Sequence, residues 1–264
     1  TWPSQPMPHL YAWGFSTSGQ LGLGNRTYYS SPKQVGSLTT WLAVTGGYAT
    51  TVATKTDGTL WTWGYNANGQ LGLGNITYYS SPKQVGALTN WLNVTAGYVH
   101  VMAIKTDGTL WSWGQSSLGQ LGHNNRTSYS SPKQVGALTT WSSVGASQYS
   151  SFAIKTDGTL WSWGANNYGV LGLNNTTNYS SPIQVGALTN WSQVAGSRFG
   201  YFALAIKTNG TLWGWGQNHV GELGLGNISY TISPTQVGAL TTWSKISAQQ
   251  YSGMAIKTDN TLWT

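Results

Sequence analysis

A single unit repeats along this chain, and its period limits what the chain can fold into. A Trp-Gly pair closing an L-x-x-W-G segment falls at Trp13, Trp63, Trp113, Trp163 and Trp215, at steps of 50, 50, 50 and 52 residues. Around each pair stands the same unit, WLAVTGGYATTVATKTDGTLWTWGYNANGQLGLGNITYYSSPKQVGALT in the copy that begins at Trp41. Solenoids and propellers both have periods of this order, because one unit cannot bury its apolar face alone and must stack on its neighbours. Secondary structure decides between them.

Each unit reads as four short strands, at 41–45, 50–55, 59–63 and 80–85 in this copy. Asp57-Gly58, between the second and third, is a strong hairpin signal, and a two-residue type I′ turn there puts both residues at positive φ. Asp107-Gly108, Asp157-Gly158, Asn209-Gly210 and Asp259-Asn260 occupy the same place. The last uses Asn, the next most tolerant residue at positive φ. Leu60-Trp61-Thr62-Trp63 alternates at period two, which puts both indoles on one face. No segment has a convincing helical period, so helix is expected to be nearly absent. Four antiparallel strands per ~50 residues fit a propeller blade, with the tryptophan pairs filling the space between neighbours.

The segments WGxNxxGQLGLGN, SSPxQV and AIKTDGTLWSWG resemble the regulator of chromosome condensation repeat, in five copies over residues 10–264. The resemblance implies a β-propeller, usually of seven blades in that family. Its best-known member is a nucleotide exchange factor for a small GTPase. That activity depends on features outside the repeat and is carried onto no residue here. The expected fold is therefore an all-β propeller of four-stranded antiparallel blades, five if the chain is complete. It forms a single domain, 10–264, behind an N-terminal extension, 1–9. The third strand occurs six times, at 10–13, 60–63, 110–113, 160–163, 212–215 and 262–264, and the other strands five times. Either an end is cut from a longer array, or the spare strand lies on an edge that invites another chain. The chain has no initiator Met and no signal peptide, so it is expected to be processed or a segment of something longer.

Only 6% of the residues are charged, while 16 Trp and 15 Tyr make the chain aromatic, which disfavours disorder. The absence of Cys excludes disulfides and thiolate metal sites. No apolar run approaches the roughly 18 residues of a bilayer span, so membrane insertion is not expected. Lys55, Lys105, Lys155 and Lys257 are each followed two residues later by an Asp, and the net charge of +7 is smeared over the chain. That is a poor footprint for nucleic acid.

Candidate chemistry is sparse. The glycines of GQLGLG are not followed by a helix or by Gly-Lys-Ser/Thr, so Gly69, Gly72 and Gly74 read as turn residues rather than a phosphate cradle. Four of the five acids occupy hairpin turns, and Glu222 stands where other copies have Gln20, Gln70 and Gln120. No pair of ionisable groups recurs as acid–base catalysis requires. His9, His100, His123 and His219 lack metal-ligand spacing. The expectation is a non-enzymatic protein with no cofactor and no metal. Asn25, Asn75, Asn125, Asn175 and Asn227 sit in sequons, yet read more simply as turn formers.

Two loops vary among otherwise near-identical copies. One spans 15–18, 65–68, 115–118, 165–168 and 217–220. The other precedes the second strand and offers Tyr48, Tyr98, Tyr149, Phe199 with Tyr201, and Tyr251, interleaved with His100, Gln148, Arg198 and Gln250. These ten residues are the candidate binding positions, because rigid aromatics with polar neighbours suit recognition. Alternatively the tyrosines plug the central channel. Near-identical copies rich in Asn, Thr and Tyr are also similar in style to arrays from bacteriophages and marine bacteria. The leading expectation is accordingly a propeller displayed on a virion or cell exterior, binding a protein or a surface glycan. The alternatives are an architectural subunit of a virion or filament, self-associating through its terminal strands, and an intracellular exchange factor for a small GTPase.

Overall fold

The computed structural model describes residues 9–37 and 40–264. Apart from His9, the expected N-terminal extension lies outside the described residues. The chain opens with β1 (Tyr11–Gly14) paired to β2 (Tyr29–Gln34). Four complete antiparallel sheets follow, each in sequential strand order. The first holds β3 (Trp41–Gly46), β4 (Thr50–Lys55), β5 (Leu60–Gly64) and β6 (Tyr79–Gln84). The second holds β7 (Trp91–Ala96), β8 (His100–Lys105), β9 (Leu110–Gly114) and β10 (Tyr129–Gln134). The third holds β11 (Trp141–Ala146), β12 (Ser150–Lys155), β13 (Leu160–Gly164) and β14 (Tyr179–Gln184). The fourth holds β15 (Trp191–Gly196), β16 (Phe202–Lys207), β17 (Leu212–Gly216) and β18 (Thr231–Gln236). The chain closes with β19 (Trp243–Ala248), β20 (Gly253–Lys257) and β21 (Leu262–Trp263) in one sheet. The fifth repeat is thus divided between the two end sheets, and the third strand is present in both. This is the expected all-β propeller. Its helical content among the described residues is one 3-10 turn, Asn167–Gly169.

The cores lie between blades. Val52, Leu60 and Val85 of one sheet pack with Trp91, Val101, Ala103 and Trp113 of the next. Met102, Ile104, Leu110 and Val135 do the same with Trp141, Ala153 and Trp163. The indole at the end of the third strand, Trp63, Trp113, Trp163 or Trp215, is the centre of this contact. Trp63 Nε1 donates to the Gln20 carbonyl of the preceding repeat at 2.9 Å. Trp113 donates to Gln70 and Trp163 to Gln120, both at 3.0 Å, and Trp215 to Val170 at 2.7 Å.

The glycine-rich loop therefore packs against a neighbouring blade. Gly72 has φ +73°, and a Cβ on it would stand 2.7 Å from Trp113 Nε1. Gly74 N–H donates to the Ser130 carbonyl of the next repeat's fourth strand at 2.8 Å. Within the loop, buried Asn66 donates from Nδ2 to the Asn75 and Thr77 carbonyls and accepts from Leu71 N–H, at 2.9–3.0 Å. Asn75 Oδ1 accepts from Thr77 N–H at 2.9 Å. This is the Asx turn expected of a turn-forming Asn.

The hairpin differs from expectation. Gly58 has φ +75°, whereas Asp57 is not at positive φ, and Gly58 N–H donates to the Lys55 carbonyl at 3.0 Å. This is a turn of residues 55–58 with one left-handed glycine, the pattern of a type I turn with a G1 bulge rather than type I′. The reason is the aspartate. Asp57 Oδ1 accepts from Thr59 N–H at 3.0 Å and Thr59 Oγ1–H at 2.6 Å, and Thr59 Oγ1 in turn accepts from Trp61 Nε1 at 2.8 Å. Lys55 Nζ lies 3.5 Å from the centre of the Trp61 ring. One cation, one indole, one hydroxyl and one carboxylate thus form a chain, which recurs at Lys105–Trp111–Thr109–Asp107 and Lys155–Trp161–Thr159–Asp157. The hydrogen bonds from Thr59 hold the Asp57 carboxyl below the usual carboxylate range.

Two glycine substitutions separate packing from conformation. Gly86 also has positive φ (+59°), but nothing lies within 4 Å of its added Cβ. Gly86→Ala should cost about 1–2 kcal/mol, the left-handed penalty alone. Gly72→Ala should cost about 2–4 kcal/mol, because the methyl also overpacks the indole. Urea unfolding of the two variants checks the difference.

Candidate functional site

The two variable loops meet on one face, opposite the Asp-bearing hairpins. Tyr65 N–H donates to the Ala49 carbonyl at 2.8 Å, and Thr50 Oγ1 donates to the Tyr65 carbonyl at 2.7 Å. The same backbone link joins Gln115 to Val99, Ala165 to Tyr149 and Gln217 to Tyr201, at 2.8–3.0 Å. Neighbouring blades are tied as well. Tyr48 N–H donates to the Tyr98 carbonyl, and Tyr98 N–H to the Gln148 carbonyl, each at 3.2 Å.

Side chains on this frame form a continuous aromatic ribbon. Tyr48 stacks on Tyr98 with ring centres 4.4 Å apart. Tyr98 meets Tyr149 and, edge to face, Phe199, both at 5.9 Å. In the other direction Tyr48 touches Tyr65 at 6.0 Å, and Tyr65 touches Tyr78 at 4.9 Å. Arg26 lies over Tyr78 at 5.9 Å. A second cluster centres on Tyr168, with Tyr201 at 5.9 Å and His219 at 5.0 Å. Partial burial raises the phenol pKa of Tyr65, Tyr98 and Tyr149, so these hydroxyls stay neutral and able to donate.

The sequence candidates therefore divide. Tyr48, Tyr98, Tyr149 and Phe199 share the ribbon, and Tyr201 belongs to the second cluster. Arg198 reaches across the channel to donate from Nη2 to Thr45 Oγ1 at 2.7 Å, three blades away in sequence. Gln148 is half-buried, and Gln250 and Tyr251 are exposed but belong to neither cluster. His100 is 1% exposed, and its Nε2 lies 3.0 Å from Ser151 Oγ, so it faces the interior. Tyr65, Tyr168 and His219 join the face from the first variable loop, and Tyr78 and Arg26 join it without having been singled out. A signal existed: Phe15 with Tyr28, and Tyr65 with Tyr78, pair aromatics thirteen residues apart at equivalent positions. Phe15 stacks on Tyr28 at 5.0 Å.

Glu222 is 4% exposed, and its Oε2 accepts from Val220 N–H at 2.8 Å, as Gln70 Oε1 accepts from Asn68 N–H at 2.9 Å. Among the described residues, no group of three or more His, Asp or Glu could hold a metal.

Two histidines give stability a pH dependence. Burial lowers the His100 pKa to about 4, and burial together with the Lys133 charge lowers His123 to about 4. The unfolded chain takes up these protons near pH 6.5, whereas the folded chain does so only near 4. Stability should therefore fall as pH drops from 6.5 towards 4, by up to about 1.4 kcal/mol per pH unit for each histidine. His100→Ser, the residue found at Ser150, should remove roughly half of that slope in urea titrations across this range.

A family model for the RCC1-like domain matches residues 9–264. No curated protein sequence matches the chain. Among solved structures, human WBSCR16 superposes with a TM-score of 0.82 at 20% identity, covering 94% of this chain and 67% of that one. Prp20p from Saccharomyces cerevisiae, described with its binding to Gsp1p and histones, gives 0.77 at 20% identity, covering 94% and 65%. Yeast RCC1 (Prp20) bound to Kap60 gives 0.66 at 17% identity, covering 98% and 78%. The chain thus spans about two thirds of the length of the first two. These relatives overturn the expected display on a virion or cell exterior and the extracellular location that went with it. Their described partners are Gsp1p, histones and Kap60, and histones belong to the cell interior. Scarce charge and abundant aromatics arise from blade packing and carry no information about compartment. Glycan binding and self-association find no support in these relatives.

Proposed function

The chain belongs to the RCC1-like propeller family, and from that premise we propose that it docks a protein partner inside the cell and promotes nucleotide release from a small GTPase. The observation that carries this reading is the superposition of 94% of the chain on Prp20p, a propeller described as binding Gsp1p. The aromatic face supports it as well. Tyr and Arg are the residues that concentrate binding energy at protein interfaces, and here they are gathered on one face with few rotatable bonds between them.

Exchange by such a surface involves no covalent step, which agrees with the scattered acids. A propeller that binds the nucleotide-free GTPase more tightly than the loaded one weakens nucleotide affinity by the same factor. A face of rigid rings has little entropy to lose on docking, so it can favour one partner conformation strongly.

The test is release of a fluorescent GDP analogue from a panel of small GTPases at substoichiometric propeller. Faster release from at least one member is expected. Tyr98→Ala and Phe199→Ala should each slow it about tenfold or more, whereas Leu88→Ala, an exposed residue away from the ribbon, should leave it unchanged. Unaltered release across the whole panel would remove the exchange reading.

A further inference from the structure

The distribution of charge around the ribbon identifies what the partner presents to it. The chain has three arginines, Arg26, Arg126 and Arg198, and all three lie in loops of the aromatic face. None of the nine lysines does; they stand on the strands. The acids are segregated equally sharply. Asp57, Asp107, Asp157 and Asp259 occupy the hairpins at the opposite end, and each is bonded to its own threonine. The remaining acid, Glu222, is buried.

Arg198 is the focus. It flanks Phe199 of the ribbon, and its side chain lines the mouth of a channel cavity of about 180 Å³ with Thr95, Gly145 and Gln249. Among the described residues its guanidinium makes one hydrogen bond, to the neutral hydroxyl of Thr45. Burial works against its charge, and among the described residues no carboxylate pairs with it; the one acid at this end, Glu222, is buried and turned to Val220 N–H of its own loop. A half-buried guanidinium with further N–H donors and no counter-ion is built to be completed by an anion, and its planar fork matches a carboxylate.

We propose that the aromatic face receives an acidic segment of a protein partner, which places a carboxylate against Arg198 at the channel mouth. Exposed Arg26 and Arg126 steer the same segment from the periphery. The tyrosine hydroxyls donate to its remaining oxygens. A basic segment such as a histone tail is repelled by this face. A nucleic acid is disfavoured, because three separate arginines give little counterion release.

This rests on the reading of the face as a protein-docking surface, but it is tested without a GTPase, so either can fail alone. A fluorescein-labelled octaglutamate peptide is titrated against the whole chain by anisotropy, into the millimolar range, at low and high salt. Oligolysine and a single-stranded oligothymidylate serve as the other ligands. Octaglutamate should bind, and should weaken with salt. Arg198→Gln should reduce its affinity at least fivefold, and Arg198→Lys, which keeps the charge but not the fork, should fall between. Arg126→Gln should have a smaller effect, with all variants unfolding at the wild-type midpoint within a few degrees. Should Arg198→Gln prove too unstable, Tyr98→Phe, which removes one donor and keeps the ring, should weaken the peptide about twofold. Equal binding by wild type and the variants, no binding of octaglutamate, or tighter binding of oligothymidylate or oligolysine would each overturn the proposal.

Discussion

Everything in this structure depends on one indole hydrogen bond per repeat. Trp63, Trp113, Trp163 and Trp215, each at the end of a third strand, reach into the previous repeat and donate to a carbonyl in its glycine-rich loop, whereas Trp13 at the end of β1 is exposed. The four indoles are buried, so breaking the bond would strand a donor and its acceptor. It explains features that look unrelated in sequence. The glycines are needed because any Cβ at the contact would strike the indole. In three copies a buried asparagine, Asn66, Asn166 or Asn218, bonds carbonyls of the same loop, while Ser16 and Ser116 stand at this place in the other two. In the last copy, the equivalent of Gly72 is Gly224, and its added Cβ would meet only Val237 at 3.3 Å.

The second recurring device confines charge. Lysine over indole, indole to threonine and threonine to aspartate tie the four aspartates to one end, with Asn209 in the aspartate's place beside Lys207. Desolvation lowers the Lys55, Lys105 and Lys207 pKa values, and the ring faces offset part of that penalty. With charge fixed there, the opposite loops carry all the arginines and a single acid, the buried Glu222.

The fold was legible because its causes are local and repeated. Period, alternation and turn chemistry all point to the same blade, and the glycine loop could be read as scaffold from its identical recurrence. The turn type was missed because it is set by Asp57 bonding to Thr59, a side-chain choice that the Asp-Gly pair does not reveal. The site was half legible. Variation between copies marked the right two loops, but the sequence could not show that they meet, since that depends on Tyr65 bonding to Ala49 across the blade. His100 was grouped with the loop aromatics by position alone. It begins a strand, and its side chain turns inward to Ser151 of the neighbouring repeat. Arg198 is the reverse case, a residue whose role follows from charges that are far away in sequence. Compartment was not legible at all, because low charge here is a property of blade packing.

The indole contact also has a direction. Each blade offers a ring on one side and a glycine pocket on the other, so the same joint can be repeated without limit, as in any head-to-tail interface. It fixes who sits beside whom, but not how many sit in the circle. A gene built on such a joint can lengthen or shorten by whole units through unequal recombination, and every intermediate inherits a working seam. The loops on the aromatic face then diverge unit by unit in their side chains, since the bonds by which Tyr48 and Tyr98 tie neighbouring blades are made by backbone atoms.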